Sequence, residues 1–200
     1  MLKKISRVLA LVLVCLMLVS CEDSGSGAST PVEPEPQEKQ LVLKDKSEIQ
    51  NIVSSEFYQK YDEVDDEYFC YPAKLQMKCK SHILPFINIG EESQSTLVFF
   101  NYEGKDWVFM NKAIVKTDNN RYELDFAGTE VKRDVKDFPR VHVEETAFIE
   151  MNKENYDMIE DMANSEKTIV RFSGEKSSDL ELTDENKEFI RVYLSCFEEI

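Results

Sequence analysis

The spacing of apolar residues separates a short helical stretch of the chain from a long stretch of strands. Between residues 47 and 61, apolar side chains recur every three or four positions, which is typical of one face of a helix. Ser47 and Gln50 have the spacing of a capping box, so the pattern predicts that this helix begins at Ser47. From residue 68 to residue 149 the period becomes two, which indicates strands.

The strand-like stretch consists of six segments rich in aromatic and β-branched residues: residues 68 to 71, 74 to 80, 95 to 102, 107 to 116, 121 to 126 and 140 to 149. Short polar loops at residues 103 to 106 and 118 to 120 predict consecutive hairpins, and therefore an antiparallel meander. The segments 95 to 102 and 107 to 116 are apolar on both faces, so we expect them to form a central hairpin.

The C-terminal part of the chain returns to helical spacing. One helix is predicted over residues 153 to 163, and a second begins after Thr183, whose hydroxyl is a favourable N-cap. Between these helices, residues 168 to 172 and residues 179 to 182 have the pattern of a hairpin. The whole order predicts an α+β fold: an antiparallel β-meander sheet with three packed helices, one N-terminal and two C-terminal.

One further apolar stretch, residues 83 to 89, is interrupted by Pro85 and followed by Gly90. Proline cannot donate a ladder hydrogen bond, so we expect an edge strand or an apolar loop there. The length and apolar content of residues 41 to 200 fit a single globular domain.

The N-terminus has the pattern of an export signal. Positive residues come first, an apolar run extends from residue 8 to residue 19, and the small Ser20 precedes Cys21. The run is shorter than the roughly 20 residues that a helix needs to cross a bilayer, so we predict a cleaved signal peptide over residues 1 to 20. The alternative is an ordinary secretory signal followed by a chance cysteine.

Leu18, Val19, Ser20 and Cys21 resemble the lipobox of bacterial lipoproteins. The resemblance implies cleavage between Ser20 and Cys21 by a lipoprotein signal peptidase, and attachment of diacylglycerol, with acyl chains such as palmitate, to the Cys21 thiol. Two or more acyl chains anchor a protein stably. Residues 21 to 40 are then a tether of a flexible Ser/Gly half and an extended Pro/Glu half. We expect a lipid-anchored protein of the cell membrane or outer membrane, facing the periplasm or the cell exterior.

The charge of the chain limits its partners. The sequence has 24 basic and 39 acidic residues. Loss of Lys3, Lys4 and Arg7 with the signal leaves 21 basic residues against 39 acidic ones, a net charge of −18. Because such a chain repels phosphate backbones, we expect no nucleic-acid partner.

Three cysteines remain in the predicted domain. Cys70 and Cys79 lie on neighbouring predicted strands and could form a disulfide, which leaves Cys196 as a free core thiol; three buried thiols are the alternative. A zinc site from Cys70, Cys79 and His82 lacks the usual two-residue gap and a fourth ligand. We therefore predict no metal and no cofactor.

The candidates for catalysis all have simpler structural explanations. His82 and His142 are the only histidines, and His142 alternates with valines on a predicted strand, where a structural histidine is common. Glu144 and Glu145 point to opposite faces of their strand, which argues against paired carboxylate catalysis. For Arg171 we expect a cross-strand ion pair with Glu181 or Asp179. No serine lies in a nucleophile elbow and no phosphate loop is present, so the prediction is a non-enzymatic protein.

The aromatic strand, the Gly104 turn, the segment 107 to 109, and residues 168 to 174 with the following helix resemble domains of small bacterial lipoproteins without assigned activity. That resemblance implies a scaffold and no function. We predict a membrane-anchored binding or interaction module of the cell envelope, with an envelope protein or a cationic or neutral envelope component as the favoured partner and a contact patch at Ile83, Phe86 and Ile87. The alternatives are an anchored inhibitor of a basic envelope enzyme and an envelope hydrolase without a recognisable motif.

Overall fold

The computed structural model describes residues 40 to 53, 57 to 76, 80 to 90, 94 to 126, 128, 130 to 137 and 141 to 200. The predicted cleavage site at Ser20 and Cys21 and the tether up to residue 39 lie outside these residues, so the lipid anchor stays a prediction. The described residues include four helices, which are α1 (Lys46–Ile52), α2 (Ala73–Gln76), α3 (Lys153–Asn164) and α4 (Asp184–Leu194).

The strands of the described residues are β1 (Leu41–Leu43), β2 (Tyr58–Asp62), β3 (Glu67–Tyr71), β4 (His82–Ile89), β5 (Gln94–Gly104), β6 (Lys112–Lys116), β7 (Arg121–Asp125), β8 (Lys132–Lys136), β9 (His142–Glu150), β10 (Ile169–Ser173), β11 (Ser177–Glu181) and β12 (Phe197–Glu199). Antiparallel pairing gives a six-stranded large sheet in the order β2-β3-β4-β5-β9-β8 and a four-stranded small sheet in the order β11-β10-β6-β7. Strands β1 and β12 form a two-stranded ribbon. The fold is α+β as predicted, but the single meander sheet is wrong, because β6 and β7 belong to a different sheet from β5.

The predicted central hairpin of residues 95 to 102 and 107 to 116 is also wrong. Strand β5 pairs with β4 and β9, whereas the backbone N–H groups of Val108, Phe109 and Met110 donate to the carboxylate of Glu145 on β9. Phe109 has a φ of 55°, in the left-handed region, which turns this segment away from strand geometry. The chain then enters the small sheet at β6.

The predicted N-terminal helix is shorter than expected. Helix α1 ends at Ile52, and its N-cap is Asp45, whose carboxylate accepts the N–H of Glu48, so the predicted cap at Ser47 is wrong. Tyr58 and Tyr61 belong to β2, where they pair with β3. The helical spacing of Tyr61 from Ile49 and Ile52 therefore does not reflect a shared helix face.

Pro85 lies within β4, between β3 and β5, so the predicted edge strand or loop is wrong. Strand β3 pairs only with the last three residues of β4, from Ile87 to Ile89. Pro85 therefore lies where β4 has a strand partner, β5, on one side only, and its missing N–H leaves no gap in the β3 ladder.

The two C-terminal helices form much of the core on one face of the large sheet. Thr183 caps α4 with a capping box that includes Asn186, as predicted for the helix start. The buried Lys187 donates from its ammonium group to the carbonyl oxygens of Ser165 and Glu166 at the end of α3, which holds the two helices together. Their apolar faces pack with fully buried residues of β4, β5 and β9 such as Ile83, Phe100 and Ala147.

The opposite face of the large sheet presents the alternate residues of the same strands, because neighbouring side chains along a strand point to opposite faces. This face is only partly covered within the described residues, and it carries the candidate site. The described residues from Gln40 onwards belong to one compact unit. Among the described residues, no helix has the length and apolar content needed to span a bilayer.

Candidate functional site

A cleft of about 600 Å³ lies on the open face of the large sheet. Its apolar end is formed by Tyr71, Leu84, Phe86 and Phe99. Its polar end is formed by residues of β4, β5, β8 and β9, which are His82, Asn101, Glu103, Lys132, Asp134, Lys136, His142, Glu144 and Thr146. The cleft therefore combines an apolar surface with a group of titratable side chains, which is the usual composition of a ligand site.

Strand register explains why residues far apart in sequence meet here. His82 lies directly opposite Asn101, and Leu84 lies opposite Phe99. Across the next pair of strands, Glu103 lies opposite Glu144. Directly opposed residues share a sheet face, so alternate positions of four strands converge on the cleft.

The apolar end continues as a row of aromatic rings that crosses five strands, which we call the aromatic row. It runs from Tyr58 through Tyr71, Phe86 and Phe99 to Phe148, with successive ring centroids 5.2, 6.1, 5.9 and 5.9 Å apart. The two terminal rings are exposed, Tyr58 by 44% and Phe148 by 36%. The three rings between them are partly buried, and a row of partly exposed aromatic rings of this kind is typical of an interaction site.

His82 is held as a neutral imidazole at the polar end. Its Nδ1 lies 2.8 Å from the carbonyl oxygen of Lys80, to which it donates, and its Nε2 lies 3.5 Å from the amide nitrogen of Asn101. Burial lowers the pKa of His82 because the charged ring loses hydration. The hydroxyl of Thr146 in turn donates to the amide oxygen of Asn101 at 2.5 Å, which fixes the orientation of that amide.

Glu103 is the least satisfied group of the cleft. Its side chain is only 7% exposed, and its Oε2 has no hydrogen-bond partner among the described residues, although His142 Nε2 lies 3.4 Å away. Burial, followed by the charge of Glu144, raises the pKa of Glu103. Two facing carboxylates repel each other, so Glu103 and Glu144, which we call the carboxylate pair, form a site that favours added positive charge or a hydrogen-bond donor.

Glu144 is compensated from the other side by Lys136. The ammonium group of Lys136 lies 3.0 Å from Glu144 Oε2 and 2.7 Å from Asp134 Oδ2. Hydrogen bonds to Asp134 and Glu144 raise the pKa of Lys136 to about 12. The side chain of Lys136 is 42% exposed, so it can move aside at little cost.

The three residues of the predicted contact patch do not lie on the same face of the large sheet. Ile83 and Ile87 are fully buried in the core, so they cannot form the predicted contact patch; only Phe86 of the three lines the cleft. The reason is the alternation of β4, which sends Ile83 and Ile87 to the core face and Phe86 to the open face. Of the predicted patch, only Phe86 belongs to the aromatic row.

The cysteines belong to the core. Cys70 and Cys196 are buried free thiols, and burial raises the pKa of each to about 12. Cys79, the predicted disulfide partner of Cys70, lies outside the described residues, and Cys70 itself is a free thiol in the structure. Among the residues that the structure describes, no three His, Cys, Asp or Glu side chains are grouped so that they could hold a metal ion.

Glu144 and Glu145 lie on opposite faces of β9, as predicted: Glu144 lines the cleft, while Glu145 is fully buried. Arg171 pairs with Asp179, one of its two expected partners. Glu103 was missed, because the sequence pattern placed it in a turn between strands. The signal that could have found it is register, since extending the predicted strand 95 to 102 by one residue brings Glu103 opposite Glu144.

Comparison with known proteins found no match. No family model matches the chain, and neither a curated protein nor a solved structure matches it.

Proposed function

We propose that this chain is a lipid-anchored cell-envelope protein that binds a ligand in the cleft and does not transform it. The observation that carries the binding proposal is the cleft itself, in which the aromatic row meets the buried carboxyl group of Glu103, whose Oε2 has no hydrogen-bond partner among the described residues. The anchor is supported by the lipobox-like residues that end at Cys21.

Binding is favoured over catalysis by the way the polar groups are engaged. Both ring nitrogens of His82 have partners, which leaves this histidine without a free base. The hydroxyl of Ser81, next to the cleft, accepts the N–H of Glu103 and lies 3.3 Å from the Glu103 carbonyl oxygen, to which it donates. No histidine hydrogen bond to this hydroxyl activates it among the described residues, whereas an activated nucleophile needs an adjacent base.

Photocrosslinking from intact cells tests whether the aromatic row is the ligand surface. A photoreactive phenylalanine analogue placed at Phe148 stands at the exposed end of the row, and the same analogue at Val64, which is 90% exposed in the β2–β3 turn, is the matched control. We expect a crosslinked species from position 148 and not from position 64. Equal crosslinking at both positions, or none at position 148, would contradict a ligand site at this end of the cleft.

Metabolic labelling tests the anchor. Cells fed a labelled fatty acid are expected to label the native protein and not a Cys21→Ser variant, because only the thiol of Cys21 can carry the thioether-linked lipid. The native protein is expected in the membrane fraction. A native protein without label, or one that retains its first twenty residues after export, would contradict the anchor.

One contact favours a second candidate function, an envelope hydrolase. Glu103 Oε2 and His142 Nε2 lie 3.4 Å apart in the cleft, and a carboxylate next to a histidine can orient a general base. Such an enzyme would hydrolyse chromogenic ester or glycoside substrates and lose that activity in His142→Gln. Under the binding proposal, the native protein and His142→Gln give the same background rate.

A further inference from the structure

We propose that the ligand of the cleft is an amphipathic organic cation, with its charged head at the carboxylate pair and its apolar body along the aromatic row. This inference rests on the proposed binding function and adds to it the chemical class of the ligand. It depends on the free oxygen of Glu103, the facing position of Glu144, and the aromatic surface that continues from them.

The head of the ligand is assigned a positive charge because no described residue at the polar end donates a hydrogen bond to Glu103 Oε2. A buried carboxyl oxygen without a hydrogen-bond partner costs free energy that a donor can recover, and an ionised donor recovers more than a neutral one. Glu144, directly opposite, is 24% exposed in its side chain and is reachable from the cleft. A primary ammonium or a guanidinium group placed between Glu103 and Glu144 would satisfy the free oxygen and end the repulsion of the pair.

No basic side chain among the described residues of the cleft donates a hydrogen bond to Glu103 Oε2, although His142 Nε2 lies 3.4 Å and His82 Nδ1 lies 4.0 Å from the carboxylate oxygens of Glu103. Lys136 is engaged by Asp134 and Glu144 and does not contact Glu103 within salt-bridge distance. His142 lies 3.4 Å from the free oxygen without forming a hydrogen bond to it. An incoming cation can therefore add an interaction at Glu103, while the half-exposed Lys136 gives way at Glu144.

The body is apolar because of the surface next to the head. Glu103 and Phe99 lie on the same face of β5, four residues apart, which places them about 13 Å from each other along the strand. The ligand must span this distance between its charge and its apolar part, as an alkylamine or a basic segment with neighbouring apolar residues does. The net charge of −18 on the predicted mature chain attracts a cation to the same site.

Three probes with one chain length separate the charge of the head from the apolar body. n-Octylammonium, 1-octanol and octanoate share an eight-carbon chain and differ in charge from positive to neutral to negative. Each is titrated into the isotope-labelled chain from residue 21 with Cys21→Ser, and amide shifts are followed by NMR. We expect shifts at β4, β5 and β9, and an affinity for octylammonium about tenfold higher than for octanol, which a single charge-assisted hydrogen bond can provide.

The variants Glu103→Gln and Glu144→Gln are expected to bring octylammonium and octanol to equal affinity while octanol binds as before. Glu181→Gln is the matched control, because Glu181 is an exposed glutamate on β11 of the small sheet, and it should keep the tenfold preference. Amide spectra of each variant report whether the fold is retained. Retained preference in both cleft variants would overturn the assignment of the head to the carboxylate pair.

The remaining outcomes distinguish this inference from the function on which it rests. Equal binding of all three probes in the cleft would overturn the cationic ligand and leave a ligand-binding cleft. No shift in the cleft with any probe would overturn both. A titration with CaCl2 that shifts the same amides and is reversed by EDTA would also overturn the inference, because the pair would then take a metal ion in place of an organic head.

Discussion

Replacing Glu145 with Gln is expected to destabilise the protein more than any other single change of one charged side chain in the large sheet. The fully buried carboxylate of Glu145 accepts backbone N–H groups from Val108 and Phe109 at Oε1, at 2.6 and 2.9 Å, and from Met110 at Oε2, at 2.6 Å. Arg133 Nε lies 3.3 Å from the same Oε2. This one side chain therefore ties β9 of the large sheet to the segment that leads into the small sheet.

The magnitude follows from the hydrogen bonds that an amide cannot keep. Glutamine retains one acceptor oxygen, and its NH2 group must face donors whichever way the amide is turned. If the nitrogen takes the Oε1 position, the N–H groups of Val108 and Phe109 lose their acceptor; if it takes the Oε2 position, Met110 and Arg133 do. An unsatisfied buried group costs about 1–3 kcal/mol, so we expect a loss of about 2–4 kcal/mol. That is a large part of the roughly 5–15 kcal/mol that stabilises a typical domain.

Urea unfolding followed by far-UV circular dichroism measures this change. The free energy of unfolding and its dependence on urea are obtained together, and an unchanged slope shows that the same surface is exposed in both proteins. Glu144→Gln is the matched control, because Glu144 is the adjacent residue on the opposite face and its partner Lys136 is half-exposed. We expect the control to change stability by about 0.5 kcal/mol or less. A Glu145→Gln protein as stable as the control would refute the reasoning.

Three further results are expected. Glu103→Gln should be more stable than the native protein at pH 7 by about 1 kcal/mol, and the difference should shrink towards pH 4. Burial and the charge of Glu144 raise the pKa of Glu103 in the folded state, so the stabilising contribution of its protonated form is present below the unfolded pKa and is lost as pH rises through the raised pKa. An equal difference in thermal unfolding at both pH values would contradict this. Thr183→Ala should lower the free energy of unfolding by about 1 kcal/mol through loss of the α4 cap, and Thr183→Ser should restore most of it. The thiols of Cys70 and Cys196 should react with a thiol reagent at pH 8 only after addition of urea, since burial raises their pKa values to about 12; rapid reaction in the folded protein would show that the core opens there.

The elements that the sequence predicts well are those whose stabilising contacts are local. Helix α4 begins next to Thr183 because the cap and its partner Asn186 are three residues apart. The ion pair of Arg171 with Asp179 follows from a hairpin whose strands are separated by a short turn. Both features depend on residues close in the chain, so spacing alone is enough to predict them.

The wrong predictions concern contacts between distant residues. Residues 107 to 111 have the composition of a strand, but their N–H groups are taken by Glu145, which is 35 to 37 positions away for the three donors. Phe57 continues a helical spacing, yet its ring packs edge-to-face on Phe189 of α4, at a centroid distance of 5.7 Å. Tertiary contacts of this kind override local propensity and leave no periodic signal in the sequence.

The candidate site was predicted least well for the same reason. It depends on the register of four strands, and a shift of one residue would have sent Glu103 to the core face. Of the contact patch predicted from Ile83, Phe86 and Ile87, only Phe86 lies on the correct face. Composition identified these residues as apolar, but only the strand pairing shows which of them a ligand can reach.

Glu144 and Glu145 are adjacent on β9 but differ in how their carboxylates are satisfied. Glu145 is buried and has donors on both oxygens, so it contributes to stability as a structural carboxylate does. One position earlier, Glu144 faces Glu103, and Glu103 has a free buried oxygen. Stability alone would favour a basic or neutral residue at either position, because like charges directly opposed across two strands are destabilising. Departures from this rule are concentrated at functional sites, and under the proposed function a bound cation would offset the repulsion between Glu103 and Glu144.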